Sequence, residues 1–151
     1  MHYLTRNFAA KLKEELIASD YEILFGETMS YKKIYMGTID GEYVTVGEFI
    51  DGTFHKYINN DENICENADP FTKKAECLAH FSYERSQKEV MLLDIQGCGS
   101  CLFDPEIASK QLDPKNMLFC TGNLSHNAIQ NFTASHKCND YCNLLKLTPF
   151  E

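Results

Sequence analysis

Residues 89–95 (EVMLLDI) form a short apolar stretch that ends on a carboxylate and runs into Gly97-Cys98-Gly99-Ser100-Cys101. A run of this length, bounded by glycines, predicts a buried strand. The remaining chain has to cover that strand, and 151 residues suffice to do so with one hydrophobic core. The expectation is a single domain over residues 1–151. Apolar residues make up 44% and charged residues 24% of the chain, a globular balance rather than a disordered one. No apolar run approaches the roughly 20 residues of a membrane span. Met1 to Arg6 lack the hydrophobic core of a signal peptide. A formal net charge of −8 argues against nucleic acid as a partner. Seven cysteines without a signal peptide point to a reducing, cytoplasmic setting with thiols free or metal-bound.

Residues 6–18 read as an amphipathic helix, with Phe8, Leu12 and Leu16 at spacing four. Residues 22–26, 31–39 and 42–50 are rich in β-branched and aromatic side chains and read as strands. Asp40-Gly41 between the last two predicts a two-residue hairpin turn. Residues 51–69 are polar and read as a surface connection. Asp69-Pro70 predicts an N-cap and first helical position, opening a helix over 70–87. Residues 105–124 read mostly as loop, Ser125 as the start of a helix through Phe132, and 138–146 as a last helix. The resulting expectation is an α+β fold. A mixed or antiparallel sheet from residues 22–50 and 89–95 carries the helices.

His136-Lys137-Cys138-Asn139-Asp140-Tyr141-Cys142 places one imidazole and two thiols within seven residues, a donor set that suits tetrahedral zinc. Cys138 and Cys142 at i, i+4 fit one face of a helix. The fourth ligand is left open between His80 and the pair Cys98 and Cys101. Cys98-Gly99-Ser100-Cys101 also reads as a redox pair or as unpaired loop cysteines. Asp94 at the end of the apolar strand, followed by Gln96 and Asp104, suits a metal-holding or basic position at a cleft. Simple solvation at a strand end is the plainer alternative.

Five stretches, in order, resemble the α-kinase family of atypical protein kinases. Val90 to Gly99 with Leu102-Phe103-Asp104-Pro105 is similar to its "V-x-D-L-Q-G-x-G…L-T-D-P" core. Residues 49–60 (FIDGTFHKYINN) resemble "Y-I-x-G-x-F-x-K-Y-N-x-N", and His80-Phe81-Ser82-Tyr83 resembles "H-W/F-T-Y". Residues 119–124 (FCTGNL) resemble "F-G-x-G-N-L-G", and 135–142 (SHKCNDYC) resemble "S-H-x-C-N-x-x-C". The resemblance implies the carboxy-terminal lobe of an α-kinase-type domain, transferring the γ-phosphate of Mg-ATP to a serine or threonine hydroxyl of a protein substrate. It implies His80, His136, Cys138 and Cys142 as structural zinc ligands. Asp94 is implied as the catalytic aspartate, and Gln96 and Asp104 as magnesium ligands that are also catalytic. Glu48, Phe49, Lys56, Asn60, Gly122 and Asn123 are implied to bind nucleotide.

Several positions depart from the family pattern. Its phosphate-binding lysine, on a strand ahead of the first helix, has no counterpart in these 151 residues. Gly47 stands where a glutamate usually meets adenine, with Glu48 one place off, and Cys120 and Ser125 replace glycines. Two other readings follow. One is a catalytically dead, zinc-stabilised binding module of the same fold. The other is a redox or zinc-ribbon protein using Cys98, Cys101, Cys138 and Cys142. A partner chain supplying the missing amino-terminal lobe is a further expectation of the kinase reading.

Overall fold

The computed structural model describes residues 1–59, 69–110, 119 and 125–150. Helix α1 (His2–Ala18) buries Thr5, Phe8, Ala9, Leu12 and Leu16, the stripe that the spacing predicts, and begins four residues earlier than expected. Residues 22–26 do not form a strand. They make one helical turn, α2 (Glu22–Phe25), because only Phe25 enters the core while Ile23 and Leu24 stay exposed. Gly26, with φ of 71°, ends that turn.

The expected strand 31–39 splits at Lys32-Lys33 into β1 (Ser30–Tyr31) and β2 (Ile34–Ile39). The expected strand 42–50 stops earlier, as β3 (Glu42–Gly47). β2 and β3 pair antiparallel from Ile34↔Gly47 to Ile39↔Glu42. Asp40 and Gly41 both have positive φ, the geometry of the predicted turn. Within the polar connection lies β4 (His55–Lys56).

Helix α3 (Pro70–Arg85) is the central element. The Asp69 carboxylate caps it by accepting from the Thr72 N–H at 2.8 Å, and Pro70 takes the first turn, as predicted. Ten of its side chains are buried, from Thr72 to Tyr83. Ser82 Oγ accepts from the Leu92 N–H at 2.9 Å and so fastens the helix to the strand β5 (Val90–Leu93). Lys74 is buried on another face. Its Nζ donates to the Glu27 carbonyl at 2.7 Å and lies 5.4, 5.8 and 5.3 Å from the Phe25, Phe71 and Tyr141 ring centroids. Burial pushes its pKa down, against the opposing charge of Glu27. This cage holds the α2 segment to the body of the protein.

Beyond β5 the chain makes β6 (Gln96–Cys98), β7 (Cys101–Phe103) and β8 (Glu106–Ser109). β8 falls inside the expected loop 105–124; at four residues with polar ends, it is too short for periodicity to reveal. The pairings Leu93↔Glu106 and Gln96↔Phe103 share one register. The four strands are therefore one long hairpin bent in the middle. At the bend both strands pass through a positive-φ aspartate, Asp94 and Asp104, each at 47°. The bend separates the sheets. β6 and β7 join β1 and β4 in the order β1-β7-β6-β4, β5 pairs with β8, and β2 pairs with β3. Among the described residues the expected single sheet is thus three, of which the four-stranded one is mixed, since β1 runs parallel to β7. The chain ends in α4 (Ser125–Ser135) and α5 (Asp140–Leu144). Asn139 caps α5, accepting from the Tyr141 and Cys142 N–H groups, so Cys138 lies before the helix rather than on one face of it with Cys142.

Candidate active site and metal centre

The bend in the long hairpin brings three predicted residues together. Gln96 Nε2 donates to the Asp104 carbonyl at 3.2 Å and lies 3.5 Å from both Asp94 Oδ2 and Asp104 Oδ2. Asp94 and Gln96 are buried, and Asp104 is exposed. Positive φ costs an aspartate less than most residues, because its short side chain tolerates the left-handed region. Here it turns two carboxylates toward one glutamine. β4 supplies the counter-charge: Lys56 pairs with Gln96 across β4–β6, and its Nζ lies 2.6 Å from Asp94 Oδ1.

Two neighbours escaped the sequence reading. Glu106 sits one residue past Pro105, and its pKa is raised, first by burial and then by the charges of Asp94 and Asp104, with Lys56 opposing. A third acidic residue two places after Asp104 was the available signal. Tyr31 is 4% exposed, its hydroxyl has no hydrogen-bond partner among the described residues, and its pKa is raised by burial and then by the Asp94 charge. Nothing local in the sequence marks Tyr31, because the parallel β1–β7 pairing that carries it across is non-local.

The predicted nucleotide positions are less convergent. Glu48 lines a cavity of about 630 Å³ with Arg6, Tyr31, Lys32, Lys33 and Gly47, and its carboxylate lies 3.5 Å from Lys32 Nζ. Phe49 is 87% exposed and does not line that cavity. Lys56 is engaged by Asp94. Asn60, Gly122 and Asn123 lie outside the described residues.

The second cluster is His80, His136, Cys138 and Cys142, whose ligand atoms lie within 4.8 Å of one another. Cys98 and Cys101 are not part of it; they occupy β6 and β7, so a ribbon built on all four cysteines is not what forms. Cys138 Sγ is 3.7 Å from His80 Nδ1, and Cys142 Sγ is 3.7 Å from His136 Nε2. Bonds of about 2.0–2.3 Å in a tetrahedron give edges of about 3.3–3.8 Å, so these separations fit a zinc-sized ion. The outer nitrogens face oxygen atoms. His80 Nε2 is 3.0 Å from the Thr148 carbonyl, and His136 Nδ1 is 3.5 Å from Glu76 Oε2. Such outer partners fix the ring tautomer and leave the inner nitrogen free to bind metal. The Phe150 ring covers His80 at 4.2 Å between centroids, and the Thr148 N–H donates to Glu84 Oε2 at 2.7 Å.

The electrostatics of the cluster suit a cation. Cys142 is lowered to about 3, chiefly by the Cys77 thiol donating to it, then by His136, His80 and the Asn139 backbone, with burial opposing. Burial lowers His136, but the Cys142 sulfur and the Glu76 carboxylate beside it outweigh burial and raise it to about 9. Burial raises Cys138, and the Cys142 charge adds to that rise.

Comparison with known proteins places these observations in a family. The alpha-kinase family profile matches residues 1–142. The chain is 33% identical over 107 residues to transient receptor potential cation channel subfamily M member 6 of Homo sapiens, covering 70% of the chain and 5% of that protein. It is 36% identical over 101 residues to myosin heavy chain kinase C of Dictyostelium discoideum, covering 67% of the chain and 12% of that protein. Over 103 residues it is 36% identical to eukaryotic elongation factor 2 kinase of Caenorhabditis elegans, covering 68% of the chain and 12% of that protein. Its fold is similar to the apoenzyme alpha-kinase domain of myosin-II heavy chain kinase A, with a TM-score of 0.78 and 23% identity over 99% of this chain and 56% of that one. The ADP complex of the same enzyme's domain gives 0.77, at 24% identity. The chain therefore spans a small part of its curated relatives and about half of the solved domain.

Proposed function

This chain belongs to the alpha-kinase family, and on that premise we propose that it carries the catalytic side of a protein serine/threonine kinase. It would transfer the γ-phosphate of Mg-ATP to a protein hydroxyl. The observation that carries the reading is the convergence of Asp94, Gln96 and Asp104 at one bend, with Lys56 bound to Asp94. Phosphoryl transfer asks the protein for positioning and charge stabilisation rather than covalent chemistry. Asp94 would orient a substrate hydroxyl and accept its proton as the oxygen attacks. Lys56 holds one Asp94 oxygen and leaves the other facing Gln96. Gln96, through its amide oxygen after a flip of the amide, and Asp104, through its carboxylate, would hold magnesium, which neutralises charge on the phosphate oxygens. The oxygen donors fit that ion, and the pKa of Glu106 beside them is raised first by burial and then by the negative charges of Asp94 and Asp104. Glu48, Phe49, Asn60, Gly122 and Asn123 complete the proposed nucleotide contacts. His80, His136, Cys138 and Cys142 would hold a structural zinc whose role is to cross-link α3 to the carboxy-terminal segment.

The β2–β3 hairpin points to a partner for this site. Ile34, Tyr35, Met36, Ile39, Tyr43 and Val46 are all at least 40% exposed, and among the described residues the pair forms a sheet of its own. This supports a further segment, in this polypeptide or in a partner chain, that packs on the hairpin and completes the nucleotide cleft. A second reading, a catalytically dead zinc-stabilised module, is favoured by Gly47 in the adenine position and by the exposure of Phe49. The deciding experiment is transfer of labelled γ-phosphate from Mg-ATP to a panel of proteins by zinc-loaded chain, beside Asp94→Ala. Labelling lost in Asp94→Ala supports the kinase. Folded, zinc-loaded protein that labels nothing supports the inert module.

A further inference from the structure

We propose that Cys98 and Cys101 are a reversible dithiol–disulfide pair, a thiol-modification site on the hairpin that carries Gln96. The pair is independent of the kinase reading. Neither cysteine belongs to the metal cluster, both are free, and both are half-buried rather than sealed in the core. They stand directly opposite one another across β6–β7. The turn between them is Gly99-Ser100, with Gly99 at a φ of 57°, the arrangement in which glycine leads a tight two-residue hairpin. Directly opposed antiparallel residues have Cα atoms about 4.5–5.5 Å apart, inside the roughly 4.4–6.8 Å that a disulfide spans. Closing the bond therefore asks for side-chain rotation and no slip of register.

The surroundings hold the pair in place. Tyr57 Oη donates to the Gly99 carbonyl at 2.9 Å and pins the turn. The 51–54 loop lies against Cys98, since a Cβ on Gly52 would come within 3.2 Å of Cys98 Cβ. Oxidising equivalents would come from a low-molecular-weight disulfide of the glutathione class. One cysteine thiolate attacks a sulfur of that disulfide, forms a mixed disulfide and releases one thiolate. The second cysteine, deprotonated, attacks the protein-side sulfur, closes Cys98–Cys101 and releases the other thiolate. Two protein thiols are oxidised, one small disulfide is reduced to two thiols, and the protons balance. A bond at a half-exposed hairpin tip is of the labile kind, more readily reduced than a buried structural disulfide.

Zinc-loaded full chain equilibrated in glutathione buffers, acid-quenched, alkylated with iodoacetamide and cut with trypsin tests this. Lys88 and Lys110 bracket a peptide, residues 89–110, that contains Cys98 and Cys101 and no other cysteine. The expected result is a peptide lighter by two hydrogens and free of alkyl groups under oxidising buffers. It should convert to a doubly alkylated peptide as the glutathione buffer is made more reducing. In Cys101→Ser the same peptide should retain one glutathione, because nothing resolves the mixed disulfide. Two alkyl groups at every buffer setting would overturn the proposal, as would a wild-type peptide that stops at one glutathione and one alkyl group.

Discussion

Glu106 shows how tightly charge is drawn together at the hairpin bend. Its pKa is raised by burial and by Asp94 and Asp104, so the folded protein binds this proton more strongly than the unfolded chain does. The stability from that proton is fully present below the ordinary glutamate pKa and is lost as pH rises through the raised value. Glu106→Gln is therefore expected to unfold at higher temperature than wild type at pH 7, with the gain vanishing in acid; melting curves across pH check this. Gly97 is constrained differently, since a Cβ there would collide with the Cys101 carbonyl. Gly97→Ala is expected to lose about 1–3 kcal/mol in urea titrations, the range for forced overpacking. At this scale Asp94, Gln96 and Asp104 were legible as residues in a motif. Their mutual approach was not, because it depends on two left-handed aspartates at matching places in a register that periodicity does not reveal.

Among the elements, those with strong local signals came out as read: the α1 stripe, the Asp69-Pro70 start of α3 and the Asp40-Gly41 turn. The failures share one cause. Residues 22–26 have strand-like composition, yet tertiary contact selects Phe25 alone and makes a helical turn. β8 exists because β5 needs a partner, not because its four residues favour it. Lys74, which no local pattern distinguishes from its neighbour Lys73, is the cation in an aromatic cage. Lys74→Met keeps the stem but leaves the Glu27 carbonyl without its donor, so a loss of about 1–3 kcal/mol is expected in denaturant unfolding. Earlier proteolysis around residues 20–28 should accompany it, as the α2 segment is released.

For the whole molecule, the His/Cys cluster ties α3 to the segments before α5 and after it. Three of its donors were legible from local spacing, but only the family resemblance selected His80 over Cys98 and Cys101 as the fourth, because His80 lies 56 residues before His136. If zinc is the occupant, free zinc at 100 times its Kd adds about 2.7 kcal/mol to stability. That corresponds to about 5–11 °C in Tm for a chain of this size. Chelation should remove that increment, and Cys142→Ser should abolish the response to added zinc. Among the described residues no helix is long and apolar enough to cross a membrane, and the apolar surface that does stand out is the β2–β3 hairpin.

The central claim is that Asp94, Gln96 and Asp104 form the metal-and-hydroxyl side of a phosphoryl-transfer site. Its most direct test is the shift in Tm of the zinc-loaded chain on adding Mg-ATP, measured for wild type and Asp104→Ala. The account predicts a magnesium-dependent rise for wild type that Asp104→Ala loses while keeping its zinc and its fold. An equal rise in both proteins, or one that survives without magnesium, would contradict it.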